Sequence, residues 1–566
     1  MSDIINPIVS EDYADLLIET NELQFIKNKF PSAIVHPVNY LISLVNIPVS
    51  LMTNELISEL GYGAIPGYLG LVSQQSLEAS RIEQLRTIPA LNLHGKGVLI
   101  GIMDTGIDYT NPIFQNADHT TRIISLWDQT IQGNNPPKGF YYGTEYTKKQ
   151  INEALQSDDP LHIVPSIDEN GHGTMVAGIA GGNDVPESDF YGIATEAEFV
   201  IVKLKPAKQY FKELFFIPEN AVAYQENDFV FALEYLINVA ANLLRPLVLC
   251  IAVNSSEGAR DGRGTTNTYL SLVASTTGIA CILPAGNEGL ARRHYFGMTD
   301  PRTNMDTVEL NVGENAHSFT MQLWGSSPNI YSVDIISPSG EYVPRLITRT
   351  NTYQKISFIF ENTIIYLDYQ LMESQSSEPF IMFRFKDPSP GIWKLNVYER
   401  GDIKLGFHIW LPMQGFISDD VFFVNADPYT TVLSLSSNPV PIVVTAYDYV
   451  DHSLYQSASR GFTKNGVVSP QIAAPGVNVT GPTIEQTFSK FTGTSIAAAH
   501  MGGVAAMLLE WGIIKGHLPN LSTVEMKILL ERGAKRDLNI EYPNREWGYG
   551  ILDVYNVFDS LRTTIE

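Results

Sequence analysis

The sequence predicts an α/β protein whose parallel sheet has helices on both faces and is interrupted by an all-β insertion. Between about residues 97 and 290, apolar strand-like runs alternate with helical patterns, an order typical of parallel sheets covered on both sides. Between about 300 and 430 no helical period occurs, and the alternation of strand-like and helical patterns resumes at Val440. These observations predict one α/β unit divided by a separate β unit.

The α/β elements follow in order along the chain. An apolar run is typical of a buried strand, and four such runs occur at Val98–Met103, Phe199–Leu204, Leu247–Val253 and Ile279–Leu283. A helix is predicted from about Phe229 to Leu244, with Asp228 placed to cap its first turn. After the insertion, Pro441–Val444 predicts a further strand, and the small residues that follow Ser495 predict a helix.

The insertion contains eight short strand-like runs at about 10- to 20-residue spacing, separated by Pro, Gly, Ser and Asn. They are Thr307–Val312, Phe319–Trp324, Val333–Ile336, Ile356–Phe360, Ile364–Tyr369, Phe380–Phe385, Ile392–Tyr398 and Leu405–Leu411. This pattern predicts an antiparallel β-sandwich of the jelly-roll type. Trp324, Trp393 and Trp410 are predicted to form sandwich core; a carbohydrate-binding face is the alternative.

Composition excludes several classes of protein. The 566 residues carry a formal net charge of -24, which argues against nucleic-acid binding because phosphate contacts need a basic face. Cys250 and Cys281 are too few for a disulfide scaffold or a four-cysteine zinc site and are predicted to be buried fillers. No uninterrupted apolar run approaches about 18 residues, and Met1-Ser2-Asp3-Ile4-Ile5 lacks the features of a signal peptide. We expect cytoplasmic synthesis, no membrane insertion and no nucleic-acid partner.

Three short segments carry the functional signal. The first, Asp104-Thr105-Gly106-Ile107-Asp108, directly follows an apolar strand, where open α/β sheets build their sites. The second places His172 between two glycines in Asn170–Gly178, and the third places Ser495 at the start of a small-residue helix in Gly493–His500. Taken singly, each pattern is more often structural: a turn Asp, a packed His or a helix-capping Ser.

Together the three segments predict a nucleophilic serine. A serine hydroxyl is a poor nucleophile until an imidazole takes its proton, and a carboxylate must hold that imidazole in the right tautomer. The chain order Asp104, His172, Ser495 is one of the known orders that assemble such a triad. His500, on the same helix as Ser495, is predicted to pack internally.

These segments resemble the Asp, His and Ser blocks of the subtilisin-like serine peptidases, the subtilases, whose D-T-G, H-G-T-x-V-A-G and G-T-S-x-A-A patterns they match almost letter for letter. Pro284–Gly289 resembles the family's A-G-N-x-G block. The resemblance covers about 97–290 and 440–560. It implies a subtilisin-like endopeptidase with the three residues as catalytic triad and Asn287 as oxyanion donor, without cofactor or catalytic metal.

The long insertion and the missing signal peptide narrow the resemblance to the Csp germination proteases of clostridial spores. These cleave the precursor of a cortex-lytic enzyme and retain an N-terminal prodomain. The resemblance implies an α+β prodomain at 1–75, a subtilase domain in two parts at 76–296 and 433–566, and the inserted jelly roll at 297–432. Self-cleavage is expected in the stretch from Ser73 to Gln75, and the bond that follows Gln75 is the favoured one. The implied partners are the chain's own prodomain and a cortex-lytic precursor, and the implied location is the bacterial spore.

The substrate cleft departs from the family pattern. Its wall, usually S-x-G, matches Ala252-Val253-Asn254, or in a shifted register Ser255–Gly258. Asn in place of Gly is expected to crowd the pocket for the residue before the scissile bond, which Ala285 and Gly286 also line. Ile113 stands where the family has a calcium-ligand Asp, which argues against that site because calcium binds oxygen ligands.

Several alternatives stay open. One is a pseudoprotease that acts as a signalling or scaffolding protein in germination, which the altered wall favours and the complete triad opposes. Another makes the sandwich a glycan- or protein-binding module while the protease part only processes itself. A housekeeping intracellular subtilase is a third, although it would not need the insertion. Glu288 is predicted either to add charge to the substrate pocket or to be solvated.

Overall fold

The computed structural model describes residues 6–53, 55–71, 80–133, 135–346 and 351–561. Its strands, in chain order, are β1 Tyr13–Glu19, β2 Ile34–Pro37, β3 Ile42–Pro48, β4 Tyr68–Leu71, β5 Leu99–Asp104, β6 Ile123–Asp128, β7 Thr144–Thr147, β8 Glu198–Lys203, β9 Tyr224–Gln225, β10 Leu247–Cys250, β11 Val253–Asn254, β12 Ile279–Pro284, β13 His294–Gly297, β14 Met305–Val312, β15 Phe319–Trp324, β16 Ile330–Ile336, β17 Tyr342–Val343, β18 Thr352–Ser357, β19 Ile364–Gln370, β20 Phe380–Lys386, β21 Gly391–Arg400, β22 Phe407–Trp410, β23 Phe422–Phe423, β24 Ile442–Tyr447, β25 Ile472–Pro475, β26 Val479–Pro482 and β27 Phe488–Phe491. Its α-helices are α1 Leu23–Lys29, α2 Leu56–Leu60, α3 Ile82–Thr87, α4 Lys148–Leu155, α5 Pro160–Ile163, α6 His172–Gly181, α7 Gln209–Phe215, α8 Glu226–Leu243, α9 Thr265–Ala274, α10 Thr494–Leu509, α11 Thr523–Gly533 and α12 Val554–Asp559.

An eight-stranded sheet forms the centre of the molecule, in the order β25-β24-β12-β10-β5-β8-β6-β7. Every neighbouring pair is parallel except β6 and β7, which are antiparallel. Helices α6 and α10 share an apolar core on one face, and α8 and α9 share another with the alternate side chains of the same strands. Burial on both faces explains the near-continuous apolar runs, so the predicted α/β core is confirmed.

The predicted elements of this core shift slightly in position. The run predicted as one strand over Leu247–Val253 divides into β10 and β11, and β11 leaves the central sheet. Helix α8 begins at Glu226 and not at Phe229. Asp228 does not cap it; its carboxylate lies 2.6 Å from the Lys205 ammonium, and both groups are buried. Because the helix begins at Glu226, Asp228 lies inside its first turn and not before it. Its carboxylate therefore pairs with Lys205 and does not cap the helix.

The insertion forms two antiparallel sheets around one apolar core. Their strand orders are β13-β22-β15-β20-β19-β18 and β17-β16-β21-β14-β23. Each of the eight predicted runs overlaps one of these strands, although Ile356–Phe360 overlaps β18 only at its first two residues and Leu405–Leu411 extends past both ends of β22. Because β13 already belongs to the first sheet, the sandwich begins before residue 297; its jelly-roll connectivity and the domain boundaries stay predictions. Trp393 lies in the sandwich core. Trp324 and Trp410 lie instead in a second apolar core, which the N-terminal region (residues 6–71) shares with the rest of the chain.

The N-terminal region joins the body through buried charge. Its sheet has the order β1-β3-β2, and from β1 the carboxylate of Asp15 lies 2.9 Å from the ammonium of Lys208. The same ammonium donates to the backbone carbonyls of Pro7 and Tyr13. Asp15 and Lys208 are both buried, so each charge depends on the other for compensation.

Asp15→Ala is expected to lower the free energy of unfolding by about 3–5 kcal/mol, because it leaves the Lys208 ammonium buried without its counter-charge. Urea unfolding followed by fluorescence measures this. Asp12→Ala, at an exposed position two residues after Ser10, is the matched control. Equal unfolding midpoints for the two variants would contradict the role given to the pair.

One segment of the described chain, Thr494–Ile514, has the length and apolar composition of a membrane span. It comprises α10 and the short π-helix Glu510–Ile514 that continues it, and 89% of its most apolar window is buried inside the protein. Its apolar character is therefore explained by its position at the centre of the fold.

Candidate active site

Three element ends bring the predicted triad together. Asp104 is the last residue of β5, His172 is the first residue of α6, and Ser495 is the second residue of α10. The backbone N–H groups of a helix's first turn have no acceptor within the helix, so the Ser495 N–H is free to donate outward. All three side chains are buried.

The side chains form a continuous hydrogen-bonded chain. His172 Nδ1 lies 2.8 Å and 2.9 Å from the two carboxylate oxygens of Asp104, and its Nε2 lies 3.4 Å from Ser495 Oγ. Because a carboxylate only accepts, Nδ1 carries the proton and Nε2 is left to accept from the serine hydroxyl. The longer serine distance is usual before substrate binds.

The backbone around His172 packs too closely for any side chain at the next position. A Cβ on Gly173 would lie 2.1 Å from the Gly106 carbonyl oxygen, so only glycine fits between the Asp104 turn and α6. The Gly173 N–H donates to Thr105 Oγ1, and the Thr105 N–H donates to Asp104 Oδ1. The glycines of both motifs thus set the spacing between carboxylate and imidazole.

Asp168 is a positioning residue that the sequence analysis missed. Its Oδ1 accepts from the N–H groups of Asn170 and Gly171, and its Oδ2 accepts from the N–H and hydroxyl of Thr174. These four bonds hold the turn that begins α6 and therefore the His172 backbone. An Asp four residues before a helix-starting His was the available signal.

Asn287 follows β12 and faces the start of α10. Its Oδ1 accepts from both the N–H and the hydroxyl of Thr494, each at 3.2 Å. This directs its Nδ2 donor away from Thr494, as an oxyanion donor beside the Ser495 N–H requires. Thr494, which the sequence analysis also missed, fixes the orientation of this amide.

Asn287→Ala is expected to slow self-processing of the chain about 10²- to 10³-fold, because one preorganised donor to the oxyanion is lost. The first-order rate constant for appearance of fragments on a denaturing gel measures this. Asn238→Ala, on the exposed side of α8, is the control. A rate equal to that of the control would remove Asn287 from the site.

The predicted cleft wall is already paired with a strand of the N-terminal region. β4 lies between β11 and β9 and is antiparallel to both. Leu71 is opposite Val253, and Gly70 is opposite Asn254, which favours the Ala252-Val253-Asn254 alignment over Ser255–Gly258. β4 runs toward the carboxyl end of β10, the sheet edge on which Asp104 also lies.

Two expectations about the wall need correction. The Asn254 side chain donates to the Pro284 carbonyl and to Ser436 Oγ, and accepts from the N–H groups of Ser255 and Leu435. It is fully buried in these contacts and does not crowd the pocket. Glu288 is neither a pocket charge nor solvated, because it is buried in an ion pair with Arg293.

Ala285 and Gly286 lie directly before Asn287, but their backbone groups are engaged within the protein. The Ala285 N–H donates to Val444, and its carbonyl accepts from Leu433. The Gly286 N–H donates to Thr494 Oγ1. Both residues can therefore offer a substrate van der Waals contact but no backbone pairing. The predicted processing residue Gln75, with Ser73, lies outside the described residues.

The remaining candidates have structural environments. Cys250 is buried behind α10, and burial raises the pKa of its thiol to about 12, so it is not a nucleophile at neutral pH. His500 is buried, with its ring 2.9 Å from the Ser80 hydroxyl. Ile113 packs in the core. Within the described ranges, no group of three or more His, Cys, Asp or Glu side chains is placed to hold a metal ion.

Comparisons with known proteins identify the family of this chain. The model of Peptidase S8, the subtilase family, matches residues 95–299 and 427–550. The PII-type proteinase of Lacticaseibacillus paracasei is 21% identical over 538 residues, which cover 82% of this chain and 26% of that protein. The PIII-type proteinase of Lactococcus lactis subsp. cremoris is 21% identical over 536 residues, which cover 82% and 25%. The chain thus spans about a quarter of these relatives.

Among solved structures, the CspB protease of Clostridium perfringens is similar, with a TM-score of 0.75 and 28% sequence identity. The match covers 85% of this chain and 97% of the CspB chain. This confirms the predicted subtilisin-like fold and the resemblance to a Csp protease. With a family model matching more than half of its residues, and with the Asp, His and Ser blocks brought together in space, the chain belongs to the subtilase family.

Proposed function

We propose that the protein is a serine endopeptidase that uses Asp104, His172 and Ser495 as its catalytic triad. The observation that carries this proposal is the unbroken hydrogen-bonded chain from the Asp104 carboxylate through His172 to Ser495 Oγ. It lies at the sheet edge toward which a strand of the chain itself runs along the cleft wall. A site that holds an extended peptide beside an activated serine suits acyl transfer.

The reaction follows from the positions of the protons. His172 Nε2 takes the proton of Ser495 as Oγ attacks the scissile carbonyl, and Asp104 stabilises the imidazolium that forms. Asn287 Nδ2 and the Ser495 N–H donate to the oxyanion. The imidazolium then protonates the leaving amine, the acyl-enzyme forms, and a water deprotonated by His172 releases the new carboxylate. No step needs a cofactor.

The first substrate is the chain's own N-terminal region, residues 1–75, acting as prodomain. β4 supports this because it occupies the wall in the orientation of a substrate strand, with its C-terminal end directed toward the triad edge. Cleavage follows Gln75, four residues beyond the paired segment. The buried Asp15–Lys208 pair supports continued association of the two fragments after the cut.

The later substrate is a protein zymogen, the precursor of a cortex-lytic enzyme, which the protease activates by limited cleavage during spore germination. The likeness to the CspB protease of C. perfringens over 97% of that chain supports this. The protease is made in the cytoplasm and packaged in the spore. Its partners are its prodomain and this precursor, with no nucleic acid and no membrane insertion.

The experiment that tests the proposal follows the intact mass of the freshly refolded wild-type chain over a hundredfold range of concentration. We expect two fragments, one that ends at residue 75 and one that begins at residue 76. Their rate of formation should not depend on protein concentration, because the site cuts its own chain. A chain that stays whole throughout would contradict the proposal and favour the pseudoprotease alternative.

A further inference from the structure

The side chain of Tyr68 occupies a slot that is separate from the triad. Tyr68 begins β4, the strand paired with the cleft wall, yet only 1% of its surface is exposed. Strand pairing alone would leave the side chain unspecified, because it uses only backbone groups. The burial therefore shows that other parts of the protein enclose the ring on one side of the strand.

Three parts of the chain pack around the Tyr68 ring. The Tyr68 ring is stacked on Phe416, with 4.6 Å between centroids and 25° between planes, and meets Phe215 edge-on at 5.8 Å. Its hydroxyl lies 3.2 Å from Ser256 Oγ. Phe215 ends α7, Ser256 follows β11, and Phe416 lies between β22 and β23 of the insertion. We call Phe215, Ser256 and Phe416 the aromatic slot.

The slot is polar at its closed end. Ser256 Oγ also accepts from the Met413 N–H at 3.0 Å, and the buried carboxylate of Glu257 lies next to it, accepting from the Tyr62 hydroxyl at 2.9 Å. Polar groups at this closed end favour the binding of an aromatic ring that carries a hydroxyl. A site built to hydrogen-bond a hydroxyl discriminates against the analogue that lacks it.

The strands on either side of β4 pair with it through backbone groups, so this pairing does not depend on the side chains of β4. Tyr68 and Leu69 pair with Gln225 and Tyr224 of β9, and Gly70 and Leu71 pair with β11. Any extended chain can add a strand between these two edges, so selection among chains falls to the side-chain pockets beside them.

We propose that the aromatic slot is a substrate subsite, which binds a tyrosine side chain of the protein substrate when the substrate strand replaces β4. The tyrosine lies three residues before the residue opposite Val253, as Tyr68 does relative to Leu71. This inference rests on the proposed peptidase function. It gives the insertion a part in substrate recognition, since Phe416 belongs to it.

The test uses a fluorescent heptapeptide with the sequence of Ile65–Leu71, and the same peptide with Ala or Phe in place of the tyrosine. Binding is measured by anisotropy on the full chain carrying Tyr68→Ala, whose own slot is vacated. We expect the tyrosine peptide to bind at least about tenfold more tightly than the alanine peptide, and about fivefold more tightly than the phenylalanine peptide.

A variant of the aromatic slot tests whether the slot causes the preference for the tyrosine peptide. Adding Phe416→Ala should reduce the tyrosine-to-alanine ratio to near one, whereas adding Phe360→Ala, at a 78% exposed ring of the insertion, should leave it unchanged. If Tyr68→Ala prevents folding, the same peptides are compared on the wild-type chain. There we expect weaker binding overall but the same ratio, because all of them compete with the same β4.

The outcomes separate the two proposals. Equal binding of the three peptides, a ratio that survives Phe416→Ala, or no binding of any peptide would overturn the subsite, since the slot would then serve only the chain's own strand. Failure of the peptidase function is read independently, from the absence of fragments of the wild-type chain.

Discussion

Ser495→Ala is expected to leave the chain whole under conditions in which the wild type separates into two fragments. Without Oγ no acyl-enzyme forms, and loss of the nucleophile of such a triad slows the reaction by about 10⁶-fold. The fold should be unchanged, because Ser495 is not the N-cap of α10 and only one hydroxyl is removed. Intact mass spectrometry and a denaturing gel of the two purified proteins measure the difference.

The matched control is Ser275→Ala, which removes an exposed hydroxyl just after α9. It should be processed at the wild-type rate. Fragments of the Ser495→Ala protein with the same ends would mean that a contaminating peptidase makes the cut, and the role of Ser495 would fall with that result.

Asp104→Asn is expected to slow self-processing about 10⁴-fold while leaving a measurable rate. The asparagine keeps the size of the side chain, but its amide can present a donor toward His172 Nδ1 and favour the tautomer in which Nε2 carries the proton. In that tautomer Nε2 cannot accept from Ser495 Oγ. The Asp104 carboxylate is fully buried, and both of its oxygens accept from the Nδ1–H of His172, so water cannot substitute for it.

A rate series over hours to days at neutral pH measures this effect, with Asp158→Asn, at an exposed position before α5, as control. The sign of the pH dependence gives a second check. The residual reaction should speed up at alkaline pH, where hydroxide replaces the missing general base. A rate within tenfold of the wild type would show that Asp104 does not orient His172.

The core and the triad were predictable because their signals are local. Asp104, His172 and Ser495 each lie at the end of a strand or helix, close to glycines that allow close packing. Each of the three motifs consists of consecutive residues, so it can be recognised without knowing the fold. Long apolar runs likewise identify buried strands without knowledge of their partners. The eight runs of the insertion were predictable for the same reason.

What could not be predicted depends on residues far apart in the chain. β4 and β11 are separated by about 180 positions and pair over two residues, too short for any periodic signal. Asp15 and Lys208 are 193 positions apart. Asn254 was predicted to point into the cleft, but the direction of its side chain is set by Pro284 and Ser436. Lys208, Pro284 and Ser436 all lie far along the chain from the residues they contact, so a local sequence pattern does not reveal them.

The position of β4 between β9 and β11 also sets the occupancy of the cleft. A protein substrate can bind only to the fraction of molecules in which β4 has left, and its apparent dissociation constant is the intrinsic one divided by that fraction. If β4 is in place about 99% of the time, the apparent affinity falls about a hundredfold. With β4 in place, we therefore expect binding of an added protein to need a concentration about a hundredfold higher than the intrinsic dissociation constant implies.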